Sequence, residues 1–143
     1  MIKVDMTKET LMSYRSKKAE IRELTAIIEN RYQDESLIGN DVILDYSKSY
    51  PPIPQGVVGF DQAKYNRLQD RDRRRKENLE KECAEIEDFI ESIEDSLTRR
   101  IFRMTFIDGE KQRKVARKVH LDQSMISRKI DGFLKDASNT SNA

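Results

Sequence analysis

Four polar side chains near the C-terminus have the types and spacing to hydrogen-bond the edges of bases: Gln123, Ser124, Ser127 and Arg128. Their steps of one, three and four residues put them on one side of a helix. Gln can bond adenine twice, Arg can do the same to guanine, and Ser is permissive. Around them stand Lys111, Gln112, Arg113, Lys114, Arg117 and Lys129, residue types that hold phosphate and fix orientation without reading sequence. Lys118 adds to this basic crowd. The chemistry implied is recognition of duplex DNA.

Such side chains need a rigid carrier, and residues 112–131 read as one. Two helices that cross closely require a small residue in the first, which Ala116 supplies, flanked by the apolar Val115 and Val119. The turn needs a residue tolerant of left-handed backbone, then an apolar plug. His120 and Leu121 take those places, and His reaches positive φ more readily than most residues. Asp122 suits the N-cap of the second helix. Ile126, Ile130 and either Phe133 or Leu134 would point inward from it. The pattern predicts a helix-turn-helix whose second helix, around 122–135, enters a major groove. Gly132 costs about 1 kcal/mol against Ala inside a helix, so it would mark a close contact or the end of regular structure.

The elements before this unit look different. Residues 7–33 predict a long helix, capped by Thr7, with Leu11, Tyr14, Ile21, Leu24, Ile28 and Tyr32 on its apolar side. Residues 61–94 predict a second, possible as far as 97, with a stripe of Tyr65, Leu68, Leu79, Cys83, Ile86, Phe89, Ile90, Ile93 and Leu97. Asp72 and Arg75 fall on that stripe and must pair or lie at a solvated end. The near-heptad spacing suggests coiled-coil packing, either antiparallel on 7–33 or against a second copy of the chain. Each helix would be about 40–50 Å long. The connection 34–60 carries Gly39–Asn40, Pro51, Pro52 and Pro54. Val42–Leu44 would form one helical turn or strand, and Tyr50–Gln55 an extended polyproline II segment. Residues 97–107 predict a short helix ended by Asp108–Gly109. The expected architecture is all-α: a helical arm over 1–94, a helix-turn-helix domain over 95–136 and a flexible tail over 137–143.

The chain has 143 residues, of which 37 % are charged and 36 % apolar, a balance that suits solvated helices with narrow apolar stripes. Its net charge of +1 hides an asymmetry. Residues 99–135 hold 11 Lys or Arg against 4 Asp or Glu, whereas 1–98 hold 16 against 21. A basic end on an acidic body suits phosphate neutralisation at one end only. Cys83 is the only cysteine and His120 the only histidine. A disulfide, a cysteine-based metal site and a His-based catalytic pair are therefore impossible within one chain. No cofactor-binding loop is present, no apolar run approaches a membrane span, and the N-terminus lacks a signal-peptide core. These features predict a cytoplasmic non-enzyme that touches no membrane. The basic run Arg71–Lys76 reads mainly as a solvated face paired with Glu77, Glu80 and Glu82. Cys83 reads as a small buried hydrophobe.

The stretch 112–130 resembles helix-turn-helix segments of phage repressors of the lambda Cro type, with His120 where those have glycine. A wider resemblance rests on the charged helices, the Pro/Gly-rich connection and the run from Ile101 through Phe106-Ile107-Asp108-Gly109 to Ile130. It is similar to a family of phage and prophage late-gene transcription regulators of Gram-positive bacteria, whose C-terminal domain is like region 4 of sigma factors. The resemblance implies a coiled-coil-like arm, promoter binding and, through it, contact with RNA polymerase. A homodimer through the long helices is a further expectation. Two rivals share these features. A terminase small-subunit-like packaging adaptor would form a large ring. A pure protein-interaction module would show no salt-sensitive DNA binding.

Overall fold

The computed structural model describes residues 6–34, 37 and 59–141. All regular structure among them is helical: α1 Lys8–Met12, α2 Tyr14–Asn30, α3 Gln62–Glu91, α4 Ser96–Phe102, α5 Gln112–Val119 and α6 Gln123–Ser141. A 3-10 turn, Arg31–Gln33, follows α2, and a π-helical turn, Arg103–Ile107, extends α4. The expected features at Val42–Leu44 and Tyr50–Gln55 lie outside the described residues.

Contacts divide the chain into two compact units: residues 1–19 with 79–143, and residues 20–78. This division does not fall at 94–95, where the sequence suggested a boundary. The reason is apolar packing. Ile86, Ile90 and Ile93 at the end of α3 are buried, and Phe89 meets Phe133 of α6 edge-on at 6.1 Å between ring centres. The last turns of α3 therefore belong to the core of the C-terminal helices. Leu11 and Tyr14 are buried in the same unit.

Thr7 caps α1 as expected, accepting from the Thr10 amide at 3.1 Å. Predicted helix 7–33 is interrupted at Ser13, whose hydroxyl donates to the Thr10 carbonyl at 2.5 Å. Along this unit α2 and α3 run antiparallel. Tyr14 donates to Glu87 at 2.5 Å, while Lys17 pairs with Glu82 at 3.1 Å. Burial and the adjacent Glu87 carboxylate push the Tyr14 hydroxyl well above the ordinary phenol value. Cys83 is buried as expected, and burial likewise raises its thiol.

α3 stops at Glu91. Asp95 then starts α4, its carboxylate accepting from the Thr98 amide at 2.9 Å and hydroxyl at 2.7 Å. Those two hydrogen bonds, aided by the Lys129 and Arg99 charges, hold the Asp95 carboxyl below the usual carboxylate range. Arg99 also donates to the Ile93 carbonyl at 2.7 Å, satisfying backbone just past the end of α3.

The second unit is held by a buried polar cluster. Arg31 is 5 % exposed and Asp72 4 %, and the two form an ion pair. Arg31 also donates to Gln69 at 2.8 Å, and Gln69 donates to the Ile28 carbonyl at 3.1 Å. These partners again run antiparallel. Burial pushes the Asp72 carboxyl up, but hydrogen bonds from Arg71 and Arg31 and their charges bring it below the usual range. The sequence placed Tyr32 on the apolar side; it is 57 % exposed, and Arg31 faces inward instead. The α-helix ends at Asn30, whose φ of −110° and ψ of 6° leave helical geometry, so the period of the stripe does not carry on to Tyr32. Arg75, the other charge on the stripe, is exposed and approaches Glu20 at 3.9 Å.

Candidate nucleic-acid interface

The C-terminal helices pack around α4. Phe102 and Ile101 are buried, and Phe102 stacks against Phe106 and Phe133 at 5.4 and 5.3 Å. The π turn carries Phe106 inward and closes with the Asp108 amide bonded to the Arg103 carbonyl at 3.0 Å. Gly109 then takes φ 69°, a left-handed turn that favours glycine. A Cβ there would also run into the Arg15 side chain, which donates to the Asp108 carbonyl.

α5 presents Val115, Ala116 and Val119 to this core, all buried. His120 terminates it at φ 60°, ψ 44°, the left-handed conformation its place in the turn requires. Its amide bonds to the Ala116 carbonyl, and so does the Leu121 amide at 2.9 Å, closing the helix end by a six-to-one hydrogen bond. The Asp122 carbonyl begins α6, accepting from Met125 at 3.0 Å and Ile126 at 3.3 Å. Ile126 and Ile130 are fully buried, whereas Phe133 and Leu134 are half-buried. Burying each such isoleucine contributes about 1.5–3 kcal/mol.

Two expectations for α6 change. Gly132 neither ends the helix nor marks a close contact: it is helical, and a Cβ would meet nothing within 4 Å. The helix continues through Ser141, so most of the predicted tail is helical. No Gly or Pro after Gly132 interrupts its backbone hydrogen bonding.

Of the expected base-reading residues, Gln123, Ser124 and Arg128 are exposed and Ser127 is half-buried. Among the expected phosphate residues, Lys111, Arg113, Lys114 and Arg117 are exposed, while Gln112 and Lys129 are half-buried. The cations are not equivalent. Glu110 draws Lys118 to 2.6 Å and Lys114 to 3.7 Å. The Lys118 hydrogen bond holds the Glu110 carboxyl below its usual range. Lys129 lies in the field of Asp95. Lys111, Arg113, Arg117 and Arg128 close no ion pair among the described residues, so they carry uncompensated charge. The i,i+4 spacing of Glu110 and Lys114 is a signal in the sequence for the longer of these pairs, whereas the pair with Lys118, eight residues on, has none.

A cleft of about 320 Å³ opens beside α5, lined among others by Lys8, Met12, Arg15, Thr105, Glu110 and Gln112. Its place could not be read from the sequence, since it depends on α1 packing with helices distant in the chain. Comparison with known proteins finds no matching family model, no matching curated protein and no matching solved structure. No helix among the described residues is long and apolar enough to cross a membrane.

Proposed function

We propose that this chain is a sequence-specific, phage-type transcription regulator in which α5 and α6 form a DNA-binding helix-turn-helix. α2 and α3 would make a long antiparallel arm. The observation that carries this reading is the division of α5 and α6 into two faces. Val115, Ala116, Val119, Ile126 and Ile130 are buried about a left-handed turn at His120, while Gln123, Ser124 and Arg128 stay in solvent. A left-handed helix end and a polar outer face are common to surface helices; it is the cations crowded beside this polar face that favour nucleic acid. The uncompensated Lys111, Arg113 and Arg117 supply phosphate affinity, and Arg128 with Gln123 supplies base discrimination. RNA polymerase is the partner a promoter-bound regulator would meet. Selection of bound sequences from random duplexes tests the proposal. A defined motif is expected, and recovery of unselected sequence at all salt concentrations would overturn it.

A further inference from the structure

Asp131 follows Arg128 by three residues, Ser127 by four and Ser124 by seven. It therefore extends the same helix face as the proposed base-reading residues. A carboxylate there would repel the phosphates flanking the bases. It does not stand alone: Lys8 of α1 reaches it at 3.5 Å, and both side chains remain open to solvent, at 42 % and 60 % exposure. An exposed pair of this length contributes little stability. It does fix where an ammonium sits. That ammonium has three donor hydrogens, and Asp131 can take one of them. Lys8 also lines the cleft that holds Gln112, at the start of α5, where the phosphate-holding residues begin.

We propose that α1 is part of the DNA-binding surface, with Lys8 donating to a backbone phosphate at the far end of the reading face while Asp131 holds it in place. This rests on the helix-turn-helix reading above. α1 and the C-terminal helices belong to one compact unit, so the cation comes from the opposite end of the sequence to the bases' readers.

The test measures affinity of the full chain for a labelled duplex carrying the selected sequence, from roughly 50 to 200 mM salt. Lys8→Gln should lower the salt slope by about 0.9, so that the affinity lost over this range shrinks by about 3.5-fold. Lys8→Arg should keep the wild-type slope. The decisive comparison places Lys8→Gln in an Asp131→Asn background. A persisting slope change supports a direct phosphate contact. A change that vanishes there means that Lys8 only neutralises Asp131, and the proposal is wrong. Arg128→Ala separates the two levels. If it relaxes base preference while Lys8→Gln does nothing, only the α1 contact fails. If wild type selects no sequence, the DNA reading itself fails.

Discussion

Asp72→Ala is the sharpest test of what holds the long helices in register. Arg31 and Asp72 are both almost wholly buried, and Asp72 is the carboxylate that balances the Arg31 charge. Truncating it leaves a guanidinium in the interior with the neutral Gln69 as its remaining hydrogen-bond partner among the described residues. Breaking a buried pair in this way costs about 3–5 kcal/mol. At a urea slope of about 2 kcal/mol/M, the midpoint should fall by roughly 2 M. Replacing both members behaves differently. Arg31→Met with Asp72→Leu removes two desolvated charges together and should lie within about 1–2 kcal/mol of wild type. Part of the residual loss comes from Gln69, which keeps its bond to Ile28 but loses the Arg31 donor. Urea unfolding of both variants followed by circular dichroism gives the two numbers. If Asp72→Ala cost under about 1 kcal/mol, the pair would have to be solvated and the burial argument would fail.

Gly132→Ala should stabilise by about 0.8–1 kcal/mol, since the site is helical and open; a lower melting temperature would contradict this. Ile126→Ala removes a fully buried anchor and should cost about 2–5 kcal/mol, with DNA binding lost in proportion to unfolding. Arg113→Ala should flatten the salt dependence of DNA binding by about one phosphate contact, and Lys114→Ala by less, because Glu110 already shares its charge; equal slopes would mean that Glu110 releases Lys114 on DNA. Acid stability follows from Asp72, Asp95 and Glu110, all held below their ordinary values. Their contribution is fully present above the unfolded values near about 4 and is lost as pH falls through the lower folded values. Denaturation at stepped pH should show a flat plateau from neutrality down and a decline below about 4; stability rising on acidification would oppose the assignment.

Local rules were enough for much of this structure. Thr7 as a cap, Gly109 as a helix stop and His120 in a left-handed turn each depend on a few neighbouring residues, and all three are visible in the sequence. The periodic stripe identified Cys83, Ile86 and Ile90 as buried, and it flagged Asp72 as a charge in need of a partner. Naming that partner required knowing that the α-helix ends at Asn30 and that Arg31 then faces inward, which no single stretch of sequence reveals. The same holds for Lys8 and Asp131, separated by nearly the whole chain. The helix continues past residue 137 because polar composition alone does not stop one and no breaking residue lies there.

The π turn at Arg103–Ile107 bears on how the chain can change length. Its hydrogen bond spans one residue more than an α-helix uses. It thus behaves as a stored insertion, in effect a surplus codon absorbed by widening the helix rather than by a loop. Deleting one of the five residues would let that stretch return to α geometry, and the left-handed Gly109 that follows separates its rotation from that of α5. Among relatives of this chain, gains and losses of a single residue should therefore collect between 103 and 109. The segment from His120 to Ile126 should keep its length, because a one-residue slip there would turn Ile126 out of the core and put Met125 or Ser127 in its buried place.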